Sequence, residues 1–336
     1  MTLSPGELEI ASESVAHEPE AGTPAAKAIE GRSLGQIAWR RLRKDKVSMA
    51  GGIVAILIIL VAVFAPQISS LYGQDPNAQH YDLVDAGTGL PYGANGGMSG
   101  THWLGLTPTL GEDILAQLIY GARTSLITAG LATIMSLLFG VGLGLIAGYF
   151  RGVPDAIISR VMDLLLAFPT LLFSIALLSV FQIVPSFLGL SGTPLRGAVI
   201  IFVLGFFGFP YIGRIVRGQV LSLREKEFVD AARSLGASNY RIMTREIIPN
   251  LIGPVLVYAT LTIPNYMLGE AGLSFLGVGF QPPTVSWGGM LSDAARFLEV
   301  DPEYLLAPGI TLFIAVLAFN LFGDGLRDAF DPKSRR

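Results

Sequence analysis

The chain has 336 residues, 51% of them hydrophobic and only 15% charged, with a mean hydropathy of +0.56; a soluble domain of this size needs far more polar surface, so the composition is that of an integral membrane protein. It contains no cysteine, which excludes disulfides, thiolate nucleophiles, Fe–S clusters and cysteine-based zinc sites. A net charge of −3 marks no nucleic-acid partner, and His17, His80 and His102 do not share a helix face, so no metal centre is expected.

Residues 1–34 read as a disordered acidic tail: six glutamates and one lysine fall in the first thirty positions, between Pro, Ala, Ser and Gly. Such a segment buries too little apolar surface to order itself. Its start, "MTLSPGELEIASES", has neither the basic nor the apolar region of a cleavable signal. Residues 35–66 hold a basic anchor, "WRRLRKDK" at Trp39–Lys46, followed by the first membrane span; contact of that cluster with anionic lipid fits the same topology.

A crossing takes ~20 apolar residues, and six segments qualify: Val47–Phe64, Ser125–Tyr149, Val161–Ile183, Gly197–Val216, Leu251–Leu268 and Leu305–Phe322. Residues 67–122 form an extracytoplasmic region whose tip, "DAGTGLPYGANGGMSG", is loop. Residues 123–325 hold the remaining spans, with a cytoplasmic loop at 222–250 and an extracytoplasmic segment at 272–303. The latter contains "SFLGVGFQPPTVSWGGML", too apolar for a free loop and too broken for a span, and so lies at or dips into the outer interface. Residues 326–336 are a cytoplasmic tail. Of the 23 Lys and Arg, only Arg123, Arg196 and Arg296 fall outside the pieces assigned to the cytoplasm, which puts both termini there.

"GVGLGLIAG" contains G-x-G-x-x-A, but it lies inside a span with no preceding strand; Gly140, Gly144 and Gly148 recur as small-xxx-small and predict close helix packing instead. Pro169, Pro210, Pro254 and Pro264 each interrupt a span, either as simple kinks or as points where the bundle bends. Asp163, Arg214 and Asp324 fall near cytoplasmic ends, where interfacial pairing is expected. Glu270, near the outer end of the fifth span, either contributes to a translocation path or pairs with a neighbouring helix. No nucleotide-binding, zinc-protease or serine-nucleophile motif is present, and no histidine lies in a span. A membrane enzyme lacks its chemistry here, and a secondary transporter lacks its mid-membrane ionisable relay.

The 222–250 loop carries "EFVDAARSLGASNYRIMTREIIPN". Phe228, Ala231, Ala232 and Leu235 form one apolar stripe of a short helix, with Glu225, Asp230, Arg233 and Ser234 around it. Gly236 can close that helix in the left-handed conformation, Ser238 or Asn239 can cap a second, and Pro249 begins the next span. A plain amphipathic helix resting on lipid is the alternative.

The spacing resembles the cytoplasmic EAA loop of ABC importer permeases: E-A-A, three residues, G, nine residues, I-x-L-P. Here Asp230-Ala231-Ala232 is followed by Gly236 and then Pro249, with Asp230 in place of glutamate and Glu246-Ile247-Ile248 in place of I-x-L. "ISRVMDLLLAFPTLLFSIAL", "GEAGLSFLGVGFQPPTVSWGGML", "APGITLFIAVLAFNLFGDGLRDAFDPK", "DPNAQ" and "HWLGLTPTLGEDILAQLIYGARTSL" are similar to blocks of the C-type permeases of dipeptide, oligopeptide and nickel importers, with Gly111-Glu112-Asp113 where G-R-D is usual. The likeness covers roughly residues 35–335. It implies an all-α type I ABC importer permease of six spans in a bacterial cell membrane, moving peptides, or else nickel or another small solute. It further implies a homologous B-type permease forming the path with this chain, one or two cytoplasmic ABC ATPase subunits carrying ATP and Mg, and an extracytoplasmic substrate-binding protein at the outer face near Gln281–Met290. This chain would hold no cofactor and catalyse nothing itself. Asp230, Ala231, Ala232, Leu235, Gly236 and Pro249 would couple it to the ATPase.

Overall fold

In hydrocarbon, a backbone satisfies its polar groups within its own helices, and the computed structural model, which describes residues 34–331, is helical almost throughout. The acidic tail therefore lies outside the described residues except for Leu34, as do residues 332–336. Twelve α-helices follow in order: α1 Leu34–Leu42, α2 Lys46–Val63, α3 Ala65–Tyr72, α4 Ile114–Phe150, α5 Gly152–Ala167, α6 Thr170–Ile183, α7 Gly192–Leu223, α8 Glu227–Ser234, α9 Asn239–Arg241, α10 Ile248–Phe275, α11 Trp287–Ala294 and α12 Pro302–Phe330. A two-residue antiparallel ladder, Ser186–Phe187 with Leu190–Ser191, joins α6 to α7.

Five helices are long and apolar enough to cross a membrane, and α5 with α6 makes a sixth crossing if the pair is one span. The expected third span, Val161–Ile183, is thus not straight. It bends by 79° between α5 and α6, where Pro169 has no N–H for the helix ladder and holds Phe168 in extended geometry. Pro210, Pro254 and Pro264 lie inside helices that continue past them.

The expected second span begins too late. Asp113 caps α4 by accepting from the N–H of Ala116 at 2.8 Å, so the helix starts at Ile114 and runs for 37 residues. With α3 at its other end, the irregular part of the 67–122 region narrows to 73–113. That stretch is tied down at the same aspartate: the wholly buried Asp113 also meets His102 Nδ1 and the Tyr72 hydroxyl, each at 2.9 Å.

The small-residue stripe on α4 packs against α7. A Cβ on Gly140 would lie 2.9 Å from the Ile212 side chain, one on Gly144 2.6 Å from the Gly213 carbonyl, and one on Gly148 2.8 Å from the Arg217 carbonyl. Only glycine permits that approach along three successive turns. On the other flank, α2 lays Ser48, Gly51, Gly52 and Ala55 toward the bundle, with Gly51 against Ala318 and Leu321 of α12. These contacts sort the ends of the helices. The start of α2, the ends of α4, α7 and α12, the helices α1 and α8, and the start of α10 share one end, called here the α8 end. The 73–113 region and α11 occupy the far end.

Candidate functional site

At the α8 end, the 224–250 segment folds as the spacing predicts through its first turn. Helix α8 closes on Leu235, and Gly236 takes φ +79°. The N–H of Ala237 donates to Ala232 O and that of Gly236 to Arg233 O, both at 3.0 Å, the paired bonds of a Schellman stop. Ser238 then caps α9, its hydroxyl oxygen accepting from the N–H of Arg241 at 3.3 Å.

The second half differs from expectation. Pro249 does not begin a separate span, because α9, a π-helical stretch over Ile242–Ile247 and α10 form one continuous helix. The N–H of Ile248 bonds Met243 O, five residues back. The wider π turn accommodates the missing N–H and the ring of Pro249 without a break.

The expected apolar stripe also divides. Val229, absent from it, is fully buried with Ile242, Ile247, Val220 and Leu251, and Ala232 packs beside them. Phe228, Ala231 and Leu235 remain exposed, Leu235 by 88%, and Tyr240 in the following helix is exposed as well. Asp230 accepts from Arg233 at 2.9 Å on the same exposed helix. One face of α8 anchors it to the chain and the other, carrying Ala231 and Leu235, is left uncovered.

What holds that face in place was not legible from the loop alone. The Arg224 guanidinium donates to the carbonyl of Tyr149 at the end of α4 and lies 5.9 Å from the centre of its ring. Arg151 pairs with Glu225. The α5 arm is strapped to α7 by Arg217 to Asp155, 2.7 Å, and by Arg214 to Asp163. Motif reading missed Tyr149 and Arg224 and gave Asn239 only as a possible cap; the bonded partners lie 75 to 90 positions apart in sequence.

Glu270 sits on the helix that begins in this loop, toward its far end. Its carboxylate is enclosed, 0% exposed, and accepts from Ser125 Oγ of α4 at 2.9 Å and Ser274 Oγ at 2.7 Å. Ser125 Oγ in turn accepts from the Trp287 N–H at 3.3 Å, and the Trp287 indole donates to Leu118 O at 3.0 Å. Glu270 thus joins α4, α10 and α11, which satisfies a buried acid. Of the two readings of this residue, pairing with neighbouring helices describes its contacts. The 272–303 segment, expected to lie at or dip into the outer interface, folds its α11 inward through Trp287, Met290 and Ala294.

Long apolar spans closed by small residues, with one short helix presented outside them, define a polytopic α-helical membrane component. The chain belongs to the family described as binding-protein-dependent transport system inner membrane component, which matches residues 140–336. Residues 33–85 match the N-terminal transmembrane domain of oligopeptide transport permease C. The chain is 39% identical over 298 residues to the dipeptide transport system permease protein DppC of Alkalihalophilus pseudofirmus, covering 89% of this chain and 90% of the relative. It is 35% identical to the glutathione transport system permease protein GsiD of Pectobacterium atrosepticum, covering 88% and 90%, and 38% identical to GsiD of Escherichia coli, covering 92% and 94%. A chain of the inward-facing MetNI methionine ABC transporter shares the fold, with a TM-score of 0.51 at 17% identity over 64% of this chain and 97% of that one. This is an inner-membrane permease of the ABC importer class, in which the ATPase is a separate subunit.

Proposed function

We propose that this chain is one of two homologous permeases through which an ATP-driven importer takes up short peptides. The observation that carries the coupling role is the split of α8, with Val229 and Ala232 bound to the chain and Phe228, Ala231 and Leu235 left open. The dipeptide, glutathione and oligopeptide systems named for its relatives support peptide as cargo. The distribution of Lys and Arg favours a cytoplasmic α8 end, with both termini on that side.

In this reading the Asp230–Gly236 helix and its turn seat in a groove of the cytoplasmic ATPase subunits, which bind ATP and Mg. Movement of α8 is passed along two routes. One runs through Arg224 and Tyr149 into α4. The other follows the unbroken helix from Asn239 to Phe275 up to Glu270, whose bonds reach α4 and, through Ser125, α11. The path for cargo lies between this chain and a B-type permease. A substrate-binding protein delivers cargo at the far end, against the Gln281–Met290 segment.

The test is uptake of a labelled dipeptide into proteoliposomes holding this chain, its homologous permease, the ATPase subunits and the binding protein. Accumulation requiring ATP and all partners is expected. Accumulation by this chain alone on an ion gradient would refute the reading.

A further inference from the structure

At the far end lies a cavity of about 250 Å³ between the 73–113 region, the 274–296 segment and the first turn of α12. Two carboxylates from distant parts of the chain line it: Glu112, just before the cap of α4, and Asp293, in the last turn of α11. Among the residues lining the cavity the one cation is Arg296. It is 3.9 Å from Asp293 with its side chain 74% exposed, a separation and setting in which an ion pair contributes little.

Both acids are half-buried. Burial pushes the Glu112 carboxyl up from the ordinary value; the Gln117 amide, donating at 2.7 Å, opposes this, and the charge of Asp293 adds to it. Burial likewise raises Asp293, opposed by Arg296. A positive group arriving in the cavity offsets the cost of burial for both and screens their repulsion.

Tyr304 supplies a third polar group. The residue is 4% exposed and lines the cavity; its hydroxyl is not among the enclosed unpaired polar atoms of the described residues and opens onto the cavity. A phenol with a buried body ordinarily finds a partner for its hydroxyl, and here the open side is the cavity. Phe280, Val285 and Met290 give the cavity an apolar side.

Two carboxylates and a phenol oxygen are three acceptors, and a primary ammonium has three donors. The volume falls below the ~300–1,000 Å³ of sites that enclose a drug-sized ligand, so it accommodates one end of a peptide rather than the whole. We propose that this cavity is an entry subsite that takes the ammonium terminus of an incoming peptide, with Glu112, Asp293 and the Tyr304 hydroxyl oxygen accepting its N–H bonds. The first side chain then rests against Phe280 and Met290. The inference rests on the peptide-importer reading and adds to it a site of recognition within the permease itself.

The chain has no cysteine, so Thr284→Cys at the cavity lining takes a fluorophore cleanly. The full-length labelled chain in lipid nanodiscs is titrated with Ala-Ala, its C-terminal amide and N-acetyl-Ala-Ala. Ala-Ala and the amide should shift the signal alike and the acetylated peptide should not. Glu112→Gln and Asp293→Asn should each weaken Ala-Ala binding at least about tenfold, the scale of a lost charged hydrogen bond. The comparison of free with acetylated peptide needs no variant and stands even if a substitution disturbs folding. Equal response to free and acetylated peptide, no response to any, or unchanged affinity in both variants would overturn the proposal. So would variants that bind Ala-Ala normally but lose hold of the binding protein, since a partner's lysine would then be the occupant. If the complete wild-type importer accumulates Ala-Ala while these titrations fail, the subsite alone is wrong; if it accumulates no peptide, the reading of cargo is wrong.

Discussion

The hydroxyl of Tyr149 donates to Oδ1 of Asn239 at 2.8 Å across 90 residues of sequence, tying the last turn of α4 to the residue that opens the helix after the loop. Arg224 bonds the carbonyl of the same tyrosine. Three segments at the α8 end therefore meet at one residue. Tyr149→Phe and Asn239→Ala should each cost about 1 kcal/mol at this joint, the usual net value of one hydrogen bond. Each should slow ATP-driven uptake at equal permease content. The double variant should be no worse than either single one; additive losses would show that the two residues act separately.

Gly236 has open space where a Cβ would stand, so substitution there meets only the backbone penalty of φ +79°, about 1–2 kcal/mol for an L-residue. Gly236→Val should leave the six-span bundle in the membrane while turning α8 away from its docking angle, reducing ATPase co-purification. Asp230→Lys replaces an exposed pair of little worth to stability. Its effect should therefore fall on ATPase binding and vary with salt. Normal co-purification and uptake by both variants would mean that α8 only rests on lipid.

Gly144→Val places a side chain where the Gly213 carbonyl already lies 2.6 Å from a Cβ position, whereas a Cβ on Gly142, two residues away, meets nothing within 4 Å. The first substitution should cost about 1–3 kcal/mol through overpacking and lower the melting temperature of the solubilised protein. The second should change it little. Equal effects would argue that the seam between α4 and α7 is loose.

Replacing Glu270 with alanine removes the acceptor for the Ser125 and Ser274 hydroxyl protons while each oxygen keeps its N–H donor from Trp287 or Phe280, a loss of about 1 kcal/mol for each bond. Glu270→Gln keeps the shape and an acceptor oxygen. Thermal unfolding followed by fluorescence should rank wild type above Gln and Gln above Ala. If alanine matched wild type, the bonds to α4 would not support the fold.

Orientation is open to direct chemistry because the native chain has no cysteine. An impermeant thiol reagent applied to intact cells or spheroplasts should modify a cysteine at Asn95 and spare one at Ser238. The opposite result would invert the proposed topology.

The spans were legible because hydrocarbon imposes a simple demand, roughly twenty apolar residues in a row, and the glycine seam because its four-residue period has one common use. Gly236 was legible for a similar reason, since few residues tolerate a left-handed helix stop. The start of α4 was not, because Gln117 and Arg123 make its first turns too polar for a hydropathy reading. Asp113 as a cap was the signal that could have found it. The stripe read from α8 omitted the buried Val229, because an amphipathic pattern does not say whether its apolar side meets its own chain or another. The joint at Tyr149 and the enclosure of Glu270 depend on contacts between distant segments, and no local pattern carries those.

At ~1.5 Å per residue, the 37 residues of α4 make a rod of about 55 Å, well over the ~30 Å of hydrocarbon it crosses. Such a rod is a lever whose fulcrum is the smooth glycine seam against α7. With Gly144 as the pivot, Tyr149 lies about 7 Å to one side and Ser125 about 28 Å to the other, so a tilt of about 5° moves them by about 0.7 Å and about 2.5 Å. Gearing of this kind would enlarge a slight rocking at Tyr149 about fourfold by the time it reaches Ser125, which is bonded to Trp287.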